Sequence, residues 1–87
     1  MKTEKIVTEI QKNEFGDLMI LRAGDHTMLI QYDRNGNDIH GIRYDKNRAV
    51  ESEYYKLFNS FNDLIYTSHY DGETVSSQVH NRREEWV

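Results

Sequence analysis

The chain has 87 residues, no cysteine, no proline, and 15 acidic against 11 basic side chains, a net charge of −4. That length suits one small domain, residues 1–87, whose apolar burial only just offsets chain entropy, and without cysteine neither disulfides nor a zinc knuckle can add stability. The acidic balance argues against nucleic-acid binding, which needs a basic stripe to displace counterions from phosphates.

In chain order, residues 3–13 carry Ile6, Val7 and Ile10 on one helical face with Glu4, Lys5, Glu9 and Lys12 around the rest. This spacing predicts a short amphipathic helix capped by Thr3 and ending near Asn13, with Gly16 permitting the turn that follows. DLMILRA, residues 17–23, is an apolar run expected as a strand, and a reversal at Gly24-Asp25 leads into a second strand, HTMLIQYD. Asn35-Gly36 is the strongest hairpin signal in the chain and returns it into a third strand, DIHGIRYD. Read as a two-residue type I′ loop, it pairs Tyr32 with Ile39, Gln31 with His40, and Asp33 with Asp38. The first reversal pairs Met19 with Ile30 and Ile20 with Leu29. One sheet face then carries Met19, Leu21, Met28, Ile30, Tyr32 and Ile39, and the other Leu18, Ile20, Leu29, Ile42 and Tyr44.

Such a meander needs cover. Val50, Tyr54, Leu57, Phe58, Phe61, Leu64 and Ile65 form a stripe at helical spacing, which predicts a covering helix over 50–66 with Glu51 and Glu53 at its positive end. Val75, Val79, Arg82 and Trp86 suggest a third, short helix beyond Asp71-Gly72, although Val-Ser-Ser is a poor helix former. The expected fold class is therefore α+β, a three-stranded antiparallel meander flanked by helices in the order α-β-β-β-α(-α). No internal repeat is evident. Met-Lys-Thr-Glu-Lys is not a signal peptide and Leu18-Met19-Ile20-Leu21 is too short to span a bilayer, so a cytoplasmic protein is expected.

The four histidines show no metal-binding spacing, and the serines occupy no nucleophile elbow. Under the two-residue register Asp33, Asp38 and His40 share one face at the hairpin tip, where they would suit a divalent cation; an exposed tip gives a metal no second shell, and a solvated tip is the simpler reading. A nuclease built from His26, His40 and Arg43 has nothing to fix its geometry. Neither an enzyme nor a cofactor is expected. The negative excess lies wholly in residues 51–87, with three basic and seven acidic side chains, while residues 1–50 carry eight of each. It suits solubility or a basic protein partner. Tyr55, Tyr66, Tyr70 and Trp86 fall off or beyond the core stripe and are candidate exposed anchors.

The stretches "IVTEIQKNEF", "LIQYDRNGND" and "VESEYYKLFNSFN" together resemble the small type II-A anti-CRISPR proteins, loosely over residues 5–62. That resemblance implies a DNA mimic whose acidic side chains and hairpin occupy the cleft where a CRISPR effector nuclease reads the PAM duplex with arginines. By position it implies partner contacts at Asn35, Gly36, Asn37 and Asp38, and at Tyr70, Asp71 and Glu73; where the family has a dense acidic run, this chain has HYDGET followed by Arg82-Arg83. The expected function is thus a small acidic inhibitor of a basic nucleic-acid-handling protein, with carboxylates of Asp33, Asp38, Asp71 and Glu73 meeting partner arginines. A toxin-immunity protein or antitoxin is the alternative, and a metal-dependent nuclease the third reading.

Overall fold

The computed structural model describes residues 6–80. Among these residues the structure is all β: seven strands in a single antiparallel sheet, in the order of the chain. They are β1 (Ile6–Lys12), β2 (Asp17–Ala23), β3 (His26–Tyr32), β4 (Asp38–Tyr44), β5 (Val50–Phe58), β6 (Leu64–Tyr70) and β7 (Val75–Val79). The three central strands of the expected meander are present. The flanking helices are not, and the α+β expectation is corrected. Residues 6–12 of the expected first helix are β1, the long helix over 50–66 is divided between β5 and β6, and Val75–Val79 of the expected third helix is β7. Thr3, the proposed cap, and Trp86 lie outside the described residues.

The reason is common to all three segments. Ile6 and Ile10, Val50, Tyr54 and Phe58, and Val75 and Val79 recur every four residues. A step of four stays on one face of a helix, and it is also two full periods of a strand. Asn59, Asn62 and Asp63, which fall within the expected long helix, instead close the β5–β6 hairpin. The β-rich composition around them, with Tyr54, Tyr55, Phe58, Ile65, Tyr66 and Thr67, then decides for strands.

Three hairpins share one turn. In residues 33–37, 45–49 and 59–63 the leading side chain, Asp33, Asp45 or Asn59, accepts through Oδ1 from the backbone N–H two and four residues on, at 2.8–3.0 Å. Its own N–H bonds the carbonyl of the fifth residue, and its carbonyl accepts from the N–H of the fourth. The fourth residue is left-handed in each loop: Gly36 (φ 85°), Arg48 (φ 65°) and Asn62 (φ 69°). This is a type I turn closed by a left-handed residue, the pattern of hairpin loops longer than two residues. Each loop is preceded by an aromatic residue, Tyr32, Tyr44 or Phe58, and the pairing register shifts there. The β6–β7 turn opens likewise on Tyr70-Asp71, with Asp71 Oδ1 accepting from Glu73 and Thr74 N–H at 2.9 Å. An aromatic-Asx pair at 32/33, 44/45, 58/59 and 70/71 is thus an internal repeat of turn chemistry.

The five-residue loop also corrects the hairpin register. Gln31 faces His40 as expected, with Leu29 opposite Ile42, and Met19–Ile30 and Ile20–Leu29 hold in the neighbouring pair. Past Gln31 a bulge intervenes, so Tyr32 faces Asp38 rather than Ile39, and Asp33 is in the turn and faces no ladder partner.

The sheet has no second layer among the described residues. A compact chain of this length has a radius of gyration of about 12 Å; here it is 15.4 Å. Among the described residues the buried apolar side chains are Ile20 and Ile30, each still 9% exposed, on opposite faces of the central strands. We call the face bearing Ile20, Leu29 and Ile42 the first face, and that bearing Met19, Ile30 and Gly41 the second.

Candidate interaction surface

Two side-chain clusters organise the sheet between β4 and β6. On the second face, Gly41 is buried against the ring of Tyr54, its directly opposed residue in β5. A Cβ at position 41 would overlap that ring, so glycine here admits the aromatic. The Tyr54 hydroxyl donates to Asp38 Oδ2 at 2.7 Å, Lys56 Nζ donates to the same oxygen at 3.1 Å, and Lys56 stands 5.2 Å from the Tyr54 ring centroid. Partial burial opposes ionisation of Asp38, but the Tyr54 hydroxyl and the Lys56 ammonium outweigh it and hold the carboxyl below its ordinary range. Burial, together with the Asp38 charge, pushes the Tyr54 phenol well above its usual value.

On the first face, His40 stacks on Tyr55 with ring centroids 4.3 Å apart and planes 8° from parallel. Both rings donate to one carboxylate oxygen, Glu53 Oε2, His40 Nε2 at 2.7 Å and the Tyr55 hydroxyl at 2.8 Å. Those two bonds, His40's first, lower the Glu53 carboxyl, and the Glu53 acceptor raises the Tyr55 phenol. Neither cluster was anticipated from the sequence. The signal for the Tyr54 cluster was Gly41, a glycine inside a strand with no turn to serve.

The expected partner-binding residues are scattered across these elements. Asp33 spends its carboxylate in its own loop: burial raises it, but N–H groups of Asn37 and Asn35 and the Asn37 amide together outweigh burial and bring it below its ordinary range. Asn35 and Gly36 are exposed at the loop tip, whereas Asn37 bonds across to Asn62 of the next loop at the same sheet end. The Tyr70 hydroxyl donates to Gly72 O at 2.9 Å, and Asp71 is lowered by the N–H groups of Thr74 and Glu73. Glu73 is exposed in that turn. Asp33, Asp38 and His40 are not brought together: Asp33 turns into its loop, Asp38 joins Tyr54 on the second face, and His40 joins Tyr55 on the first. No group of metal-ligating side chains converges among the described residues. His26 and Arg43 both reach Glu51 Oε1, at 3.0 and 3.6 Å, while His40 bonds Glu53.

The sheet does assemble the expected tyrosine anchors. Tyr55 faces Ser68, Tyr66 faces Leu57 and Val79, and Tyr70 faces Glu53 and Val75. Tyr55, Tyr66 and Tyr70 therefore lie on the first face together with Leu57, Val75 and Val79. Tyr55 is 48% exposed, Leu57 56%, Val75 70% and Val79 69%. An apolar and aromatic patch open to this degree, with one carboxylate at its margin, is a surface suited to a protein partner. Compared with known protein families, curated proteins and solved structures, the chain has no significant match. Among the described residues no helix is long and apolar enough to cross a membrane.

Proposed function

We propose that this chain is a non-catalytic, cytoplasmic protein-binding module that engages its partner through the first face of β5–β7. The observation that carries this reading is the single-layered patch of Tyr55, Leu57, Tyr66, Tyr70, Val75 and Val79. Domains ordinarily cover such a face with a second layer of secondary structure, and here a partner's surface would supply it. Tyr and exposed aliphatic groups bury large area at low entropic cost, and Glu53 orients the Tyr55 ring from behind. The cytoplasmic setting rests on the absence of cysteine.

A narrower form of the reading makes the module an inhibitor, an anti-CRISPR protein that competes with DNA for a type II CRISPR nuclease, and the acidic excess of residues 51–87 supports a basic partner. With Asp33, Asp38 and Asp71 occupied by internal hydrogen bonds, Glu73 and the aromatic patch would carry that contact. The test is affinity purification from the native host with the wild type and with Leu57→Lys, which is exposed enough to leave the fold intact. A protein retained by the wild type and lost with Leu57→Lys supports the reading; equal retention by both refutes the patch as its site. Added to a purified type II-A nuclease, the chain should block DNA binding in a salt-sensitive manner if the narrower form holds, and have no effect if it does not.

A further inference from the structure

The geometry points to the outer edge of β7 as a self-pairing surface, through which two copies of this chain join into one continuous antiparallel sheet. The His80 N–H donates to Ile65 O, and the Asp71 N–H donates to Thr74 O, at the two ends of the β6–β7 ladder. Backbone groups of successive strand residues point to alternate sides, so Thr74, Ser76, Gln78 and His80 bond toward β6. Val75, Ser77 and Val79 therefore direct their N–H and C=O groups outward. Among the described residues no strand pairs with that edge.

The sequence of the edge is self-complementary. VSSQV reads nearly the same in both directions about Ser77. With Ser77 opposite Ser77 of a second copy, Val75 faces Val79 and Val79 faces Val75. Every outward group of the three residues then finds a partner, giving six backbone hydrogen bonds. A shift by two residues in either direction leaves some of them unpaired, and a shift by one sets inward-pointing groups against outward-pointing ones.

The side chains agree with this register. On the first face the row Tyr66–Val79 continues into Val75–Tyr70 of the second copy, so the patch extends across the two-fold axis. On the second face Ser76 meets Gln78, both polar and uncharged. Sheet edges in soluble proteins are normally guarded by charge, proline or a bulge, and β7 has none of these. The opposite edge differs. β1 centred on its own midpoint would set Glu9 against Glu9, and like charges directly opposed are unfavourable.

A five-residue edge buries far less than the roughly 1,200 Å² of a stable interface, so the dimer is concentration-dependent. Because the chain lacks cysteine, single substitutions report the register cleanly. Opposed Cα atoms in a hydrogen-bonded pair are about 5.5 Å apart, within disulfide reach. Ser77→Cys should therefore oxidise to a covalent dimer. The two positions 75 are separated by about 14 Å along the strands, and Val75→Cys should not cross-link. In sedimentation equilibrium the wild type should show monomer and dimer. Ser77→Lys or Ser77→Glu alone should raise the dimer dissociation constant by up to about fivefold, and mixing the two should restore it. Equal cross-linking of the two cysteine variants, a wild type that stays monomeric at all concentrations, or a mixture no tighter than either charged variant would each overturn the proposal. The Leu57→Lys comparison above reads a face rather than an edge, so either result can fail without the other.

Discussion

Adding one methyl group at Gly41 should unfold a substantial part of this sheet's stability margin. The Cβ of Gly41→Ala would enter the Tyr54 ring, and backbone on the one side and a locked hydroxyl on the other leave the ring little room. Overpacking of this kind costs about 1–3 kcal/mol. If the ring swings away it also gives up its hydrogen bond to the Asp38 carboxylate, a class worth about 1.5–3 kcal/mol when well formed and less here, where the pair is partly open to solvent. The sum is about 2–4 kcal/mol, against a total of roughly 4–13 kcal/mol for a domain of this length. Urea unfolding followed by circular dichroism measures it. The decisive comparison is the same substitution in a Tyr54→Ala background, where the ring atoms that the methyl would overlap are gone. There Gly41→Ala should be neutral or should stabilise by up to about 1 kcal/mol, because alanine loses less backbone entropy than glycine. A coupling of about 2 kcal/mol or more is expected from this cycle. Equal costs in both backgrounds would refute the steric argument.

The repeated loop makes a paired prediction: Arg48→Gly should stabilise by about 0.5–1 kcal/mol, since a left-handed arginine gives up about 1–2 kcal/mol and glycine's greater entropy returns part of it, whereas Gly36→Ala should destabilise; equal urea midpoints for both variants and wild type would contradict the shared geometry. Asn59→Ala deletes the acceptor for two loop N–H groups and should cost about 1–2 kcal/mol by the same measurement. Asp33, Asp38 and Glu53 all have folded-state pKa values below their ordinary ones. Their contribution is therefore complete above the unfolded carboxyl range near pH 4 and is lost as pH falls through the lower folded values, so the urea midpoint should drop between pH 6 and pH 3. In Tyr54→Phe, which removes a hydroxyl that lowers Asp38, that drop should narrow; an unchanged pH difference would show that the hydroxyl does not tune the carboxyl.

Local chemistry was legible in the middle of the chain. Apolar cores at 18–21 and 28–30, bounded by Gly24-Asp25 and Asn35-Gly36, are enough to define strands, their order and most of their register, because a buried face tolerates no slip by one residue. The loop type was not legible from Asn35-Gly36 alone, since that dipeptide closes a two-residue loop or supplies the left-handed fourth position of a longer one. Its neighbours Asp33 and Asn37 decide between the two by bonding one another across the turn. The same turn at Asp45 and Asn59 lacks glycine, with arginine and asparagine in the left-handed position, which hid the repeat.

By itself the sequence determined the absence of disulfide staples, the acidic excess of residues 51–87, the three central strands and which face each apolar residue of β2 and β3 takes. It also singled out Tyr55, which ends up exposed, and Tyr66 and Tyr70, which end up half-buried on the same face. The tertiary structure alone decided the outer strands, because an apolar step of four fits helix and strand equally and only a neighbouring edge with unpaired backbone groups chooses the strand. The same pairing separated Asp33 from Asp38. The bulge after Gln31 turned one carboxylate into its loop and set the other beneath Tyr54, a residue 16 positions further along the chain that no local pattern could bring to it.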